Sequence, residues 1–156
     1  MISRAHRQSI RRMRYARGMR LKATRMSGNP VIAIVDDDEA VRVATASLLR
    51  SFGYETRVFG SAEDFLAAGM DRQAACLITD VRMPGVGGIE LQRILGSRNC
   101  PIPVMFMTAY CNEAIRRRAL AAGAFCFLEK PFEGEAIIRH IQDALKSATH
   151  PAPDPE

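Results

Sequence analysis

No two of the four cysteines, Cys76, Cys100, Cys111 and Cys126, stand in a CxxC pair, and their scatter has the spacing of neither a metal site nor a disulfide framework. They read as free thiols in a reducing compartment. No uninterrupted apolar run approaches the roughly 18 residues that a membrane span needs. The N-terminus lacks the apolar core of a secretory signal. A soluble, cytoplasmic protein is therefore expected, without a membrane partner. Acid is missing from one region: residues 1–25 hold nine Arg or Lys and no Asp or Glu. That lead accounts for the formal charge of +5, because residues 26–156 hold 13 basic and 17 acidic residues, a net charge of −4. A nucleic-acid function drawn from the overall charge would misassign the domain.

With 156 residues, 47% of them hydrophobic, one domain with a real core is the default. Residues 1–28 have three competing readings. They are a reading frame opened upstream of a natural start at Met26, a disordered basic arm that touches acidic partners or nucleic acid, or an organelle-targeting peptide. Residues 149–156 hold three prolines, which cannot continue a helix; they read as a Pro-rich tail or linker. The domain is expected over residues 29–148.

Within it, short apolar runs alternate with helical periodicity. "VIAIV", Val31–Val35, is too short for a helix. Asp38 is placed to cap a helix to about Phe52, with Val41, Ala44, Leu48 and Leu49 on one face and Gly53 as its stop. Tyr54–Phe59 alternates as a half-buried strand does. Ser61 and Asp64 resemble a capping box for a helix to about Ala68. Further strands are expected at Ala75–Thr79, Pro103–Met107 and Ala124–Leu128. Further helices are expected at Gly88–Leu95 with Gly96 just beyond, at Asn112–Ala122 closed by Gly123, and at Glu133–Ser147 with Ala136, Ile137, Ile141 and Leu145 on one face. Five strands alternating with five helices predict an α/β fold, a parallel sheet covered on both faces. The unbroken apolarity of "VIAIV", "CLIT" and "PVMFM" fits such strands.

In such a sheet the polar site lies at the carboxyl ends of the strands. The first strand ends in Asp36-Asp37, the third in Asp80, the fourth in Thr108 and the fifth in Glu129-Lys130-Pro131. Each residue alone has a plain structural role as a cap, a turn or a solvated side chain. At successive strand tips they form a constellation. Clustered carboxylates repel unless a cation intervenes. Lys130 and a divalent metal are the two candidates. Hard oxygen ligands suit Mg²⁺, and no His or Cys stands at a strand tip to favour zinc. A carboxylate oxygen of Asp80 can attack phosphorus and form an acyl phosphate; phosphoryl transfer asks mainly for positioning and charge neutralisation. No Gly-rich phosphate loop follows the first strand, which argues against a flavin or nucleotide module.

The segments "VIAIVDDDEAVR", "LITDVRMPGVGGIEL", "PVMFMTAY" and "FLEKPFE" closely resemble the receiver domain of two-component response regulators, in particular its FixJ-like branch, over about residues 29–148. The resemblance implies a flavodoxin-like, doubly wound five-stranded parallel sheet in the order 2-1-3-4-5. It implies that Asp80 is the phospho-acceptor, charged from a histidine of a sensor kinase. Mg²⁺ would be bound by Asp37, Asp80 and the backbone carbonyl of Arg82, with Asp36 acting through water. Lys130 would bind a phosphoryl oxygen, its bond to Pro131 being cis. Thr108 would move towards the phosphoryl group, and Phe127, the switch aromatic, would swing inward. The surface of the fourth helix, fifth strand and fifth helix would change with it and bind a downstream protein or a second copy. No turnover of a small substrate is expected beyond self-catalysed phosphotransfer and slow autodephosphorylation.

Arg82 and Tyr110 occupy the two positions that vary across the family, and both are bulky; they are expected to restrict the water that hydrolyses the acyl phosphate. Arg116, Arg117 and Arg118 read as a solvated face or a contact for acidic partner residues. Two alternatives stay open: the receiver part of a FixJ-like DNA-binding regulator, or an Mg²⁺-dependent phosphatase with an Asp nucleophile. The phosphatase would usually place an acid two residues after Asp80, where Arg82 stands.

Overall fold

The computed structural model describes residues 29–148; the readings of residues 1–28 and 149–156 fall outside the described residues. Five strands and five helices alternate: β1 (Val31–Val35), α1 (Glu39–Ser51), β2 (Glu55–Phe59), α2 (Ala62–Ala67), β3 (Cys76–Asp80), α3 (Gly88–Ser97), β4 (Val104–Thr108), α4 (Glu113–Ala121), β5 (Cys126–Glu129) and α5 (Gly134–Ala148). One 3-10 turn, Met70–Arg72, was not expected. The strands form one parallel sheet in the order β2-β1-β3-β4-β5, as the resemblance implied.

Period-two alternation sorts the strand residues onto two faces. Ala33, Val35, Leu77 and Phe106 point to one side and pack with Phe65, Ile89, Leu91 and Ile115 of α2, α3 and α4. Ile32, Ile34, Ile78, Met105 and Met107 point to the other and pack with Leu49, Ile137 and Ile141 of α1 and α5. A central strand buried on both faces is apolar along its length, and β1, β3 and β4 are, apart from Thr79 and the strand-tip residues Asp80 and Thr108. β2 is an edge strand and keeps only Thr56 buried, with Val58 40% exposed.

Helix ends follow local chemistry. Asp38, Ser61 and Asn112 each accept a first-turn backbone N–H. Three helices close with a left-handed residue and paired hydrogen bonds to the last turn, at Gly53, Asn99 and Gly123. Asn99 replaces the expected stop at Gly96. The helix α3 runs through Gly96 to Ser97, and Cys100 N–H closes on Leu95 O at 3.0 Å. Asparagine tolerates the left-handed region, so glycine was not the only available stop. On α1 the buried stripe is Thr45, Ala46 and Leu49, and Ala44 is exposed. On α5, Ile138 and Ala144 are buried and Leu145 only half-buried. Small residues on α1 left the apolar period ambiguous by one position.

The four cysteines are free; Cys76 is buried and the others half-buried. Burial pushes the Cys76 thiol up to about 12 and Cys126 up to about 11, so both are inert packing residues at neutral pH. Among the described residues no helix is long and apolar enough to cross a membrane.

Candidate functional site

The strand register assembles the site. Val35 pairs with Thr79, Asp80 with Met107 and Thr108 with Glu129, so the residues just past each pairing end on one edge. Asp36 follows the last residue of β1, Asp80 is the last of β3, Thr108 the last of β4, and Lys130 follows β5. Parallel strands of equal length, five residues in four of the five, leave no room for these groups to disperse.

One carboxylate oxygen from each of Asp36, Asp37 and Asp80 lies within 4.8 Å of the others. Lys130 Nζ donates to Asp36 Oδ2 at 2.8 Å and to Asp80 Oδ2 at 3.0 Å, spanning 94 and 50 residues of sequence. Burial pulls the Lys130 ammonium down, but the hydrogen bonds and negative charge of Asp36 and Asp80 outweigh it and hold the group above its ordinary value.

The three acids are not equivalent. Asp36 is fully buried; Lys130 takes one of its oxygens and Asp38 N–H donates to the other at 2.9 Å. Arg42 on α1 fixes the same turn by donating to the Asp36 carbonyl at 2.6 Å, a contact the sequence reading did not anticipate. Asp80 is half-buried, and Arg82 N–H donates to its Oδ1 at 3.0 Å. Asp37 is exposed and has no partner among the described residues.

Three carboxylates against one ammonium leave the cluster net negative, and like charges at this spacing oppose folding. Asp37→Asn is expected to raise stability in metal-free buffer by about 0.5–1 kcal/mol, the scale of an exposed charge interaction. Urea unfolding with and without a chelator measures it, and an unchanged or lower midpoint would count against mutual repulsion.

Thr108 is buried, and its hydroxyl stays close to home: it accepts from Tyr110 N–H at 3.2 Å and donates to Tyr110 O at 3.4 Å. The Arg82 guanidinium lies 5.9 Å from the Tyr110 ring centroid, bringing together the two bulky residues that stand two positions after Asp80 and two after Thr108. Phe127 is half-buried against the cluster that contains Phe106 and Ala119. The Lys130–Pro131 bond is cis. Arg117 of the α4 triplet is near Glu113 at 3.9 Å, whereas all three arginines are exposed.

The donor set is all hard oxygen, with no imidazole or thiolate in the cluster; it fits a divalent cation of the Mg²⁺ type. Asp37 is the carboxylate left free to reach one.

The response regulator receiver domain family matches residues 32–142. The transcriptional regulatory protein FixJ of Azorhizobium caulinodans is 40% identical over 114 residues, 73% of this chain and 54% of that protein. The response regulator protein TmoT of Ectopseudomonas mendocina is 42% identical over 118 residues, 76% and 54% of the two chains. The crystal structure of FixJ-N superposes with a TM-score of 0.71 at 38% identity, covering 81% of this chain and 98% of that one. The chain spans about half the length of the curated relatives it matches.

Proposed function

Because the chain belongs to the response regulator receiver domain family, a phosphorylation-based signalling module, we propose that it works in the cytoplasm, that Asp80 is its phospho-acceptor and that a histidine of a sensor kinase is the donor. The observation that carries this is the double grip of Lys130 on Asp36 and Asp80 at 2.8 and 3.0 Å. It places one ammonium beside the carboxylate at the centre of the sheet edge.

A carboxylate oxygen of Asp80 forms the new bond to phosphorus. The bond from phosphorus to the histidine nitrogen breaks, its electron pair stays on the imidazole, and a proton follows. Asp37, Asp80 and the Arg82 carbonyl would hold Mg²⁺, with Asp36 acting through water; the bound ion supplies charge neutralisation at the phosphoryl oxygens. Lys130 keeps contact with Asp36 while its ammonium stabilises the transferred group. The work is self-phosphorylation of one side chain, without turnover of a small substrate.

The added group carries roughly −1.5 to −2 charges. Thr108 exchanges a long contact to Tyr110 O for a charge-assisted bond to a phosphoryl oxygen, worth about 1.5–3 kcal/mol. That difference shifts a minor conformer towards a major one without locking it. Phe127, whose partner across β4 and β5 is Phe106, two residues before Thr108, follows the hydroxyl. The α4, β5 and α5 surface then presents a new face to a downstream protein or a second copy.

The test is incubation of the chain with a small acyl phosphate and Mg²⁺. A gain of about 80 Da, one HPO₃ unit, mapped to the peptide that holds Asp80 and abolished by chelator, is expected; no adduct, or one elsewhere, overturns the assignment. The Arg82 guanidinium stands 5.9 Å from the Tyr110 ring centroid, and the two bulky side chains together would obstruct hydrolytic water. The Arg82→Ala/Tyr110→Ala double variant is expected to shorten the acyl phosphate lifetime roughly three- to tenfold, read from decay of the adduct after the donor is removed. An unchanged lifetime would remove their shielding role.

A further inference from the structure

We propose that Glu63, on α2, is a positioning residue for phosphoryl transfer: its carboxylate anchors the loop between β3 and α3 and thereby fixes the Arg82 backbone beside Asp80. The tie stands on geometry alone, whereas its consequence rests on the phosphoryl reading given above.

Glu63 sits in the first turn of a six-residue helix with its side chain at the surface. Its Oε1 nonetheless accepts a hydrogen bond at 3.0 Å from the backbone N–H of Val86, 23 residues onward. The neighbouring Gly85 has φ +75°, and a Cβ there would stand 2.6 Å from the same oxygen. Absence of a side chain at Gly85 therefore serves two ends: it permits the left-handed turn and it seats the carboxylate.

The ends of the loop are fixed by other means. Val81 N–H reaches Met107 O at 3.3 Å, and Gly88 N–H closes on Val81 O at 3.0 Å. A Cβ at Gly88 would collide with the Asp80 carbonyl oxygen. The middle differs. From Met83 to Val86, the Val86–Glu63 bond is the only hydrogen bond to another element among the described residues. Arg82 adjoins this span, and its own N–H holds Asp80 Oδ1. Drift of the loop would move both that donor and the Arg82 carbonyl relative to the acceptor.

The Val86 N–H holds the Glu63 carboxyl below its ordinary range, so the acceptor is ionised at neutral pH and the bond is charge-assisted. An acid in the first turn also favours the helix dipole. That role needs only negative charge, whereas positioning needs an acceptor oxygen at the Glu63 length.

The test compares Glu63→Ala and Glu63→Gln in the full chain with two readouts. Amide hydrogen exchange at Val86 is followed without phosphate donor, and phosphorylation of Asp80 by a small acyl phosphate with Mg²⁺ is followed by mass. Glu63→Ala is expected to speed exchange at Val86 and to slow phosphorylation roughly three- to tenfold, the effect of one lost hydrogen bond. Glu63→Gln keeps the oxygen and is expected to restore both. The proposal is overturned if Glu63→Ala leaves either readout at its wild-type value, or if Glu63→Gln is as impaired as Glu63→Ala. A wild-type chain that takes no phosphate would instead sink the phosphoryl reading, and exchange at Val86 would still decide whether Glu63 holds the loop.

Discussion

Asp80→Asn is expected to remove the phosphoryl adduct completely while leaving the sheet folded. An amide oxygen is a poor nucleophile and forms no acyl phosphate. Size and shape are conserved, so the β3 tip keeps its place between Thr79 and Val81. Both Asp80 oxygens accept hydrogen bonds, from Arg82 N–H and from Lys130 Nζ. Asparagine has one oxygen and satisfies one of them, which costs stability. Relief of repulsion from Asp36 and Asp37 offsets that cost, so the net change is expected within about 1 kcal/mol. Intact mass after incubation with a small acyl phosphate and Mg²⁺ checks the first point, and urea unfolding the second. An adduct of unchanged stoichiometry in Asp80→Asn would place the acceptor elsewhere and end the assignment.

Lys130→Ala is expected to have the second-largest effect, on reaction and fold together. Removal of one preorganised cation from a transferring group typically costs roughly 100- to 1,000-fold in rate. Asp36 is fully buried, and Lys130 is the only cationic partner of its carboxylate among the described residues. Deleting one member of a buried pair strands the other, at a cost of about 3 kcal/mol. The ammonium is held above its ordinary value of 10.5, so its stabilisation is fully present below that value and is lost only as pH rises through the higher folded value. At neutral pH wild type therefore has the whole contribution, and the gap between wild type and Lys130→Ala should narrow only in strongly alkaline solution. Urea midpoints across pH, beside adduct formation rates, test both arms. A variant that phosphorylates at the wild-type rate would remove Lys130 from the site.

The motifs carried much of this in plain view. Apolar runs at Val31–Val35, Cys76–Thr79 and Val104–Met107 announced strands buried on both faces, because a parallel sheet has no wet side. Helix ends at Asp38, Ser61 and Asn112 were legible because capping is a local bargain between a side chain and the next three amides. Gly96 misled for the same local reason: Asn99 could take the left-handed position just as well, and only the closing bonds from Asn99 and Cys100 chose between them. The α1 stripe slipped by one residue because Ala44, Thr45 and Ala46 are nearly alike in size.

Sequence alone determined the order of strands and helices, the family, and the presence of an acid, a hydroxyl or an amine at each strand tip, since these depend on composition over a few neighbouring residues. Tertiary structure decided what lies between them: that Lys130 grips Asp36 and Asp80 together, that Arg42 braces the Asp36 carbonyl, and that Glu63 reaches Val86. Such contacts join residues 6, 23, 50 and 94 positions apart. No local propensity encodes a distance of 3 Å between them; it arises only when strand register and helix packing close around the same edge.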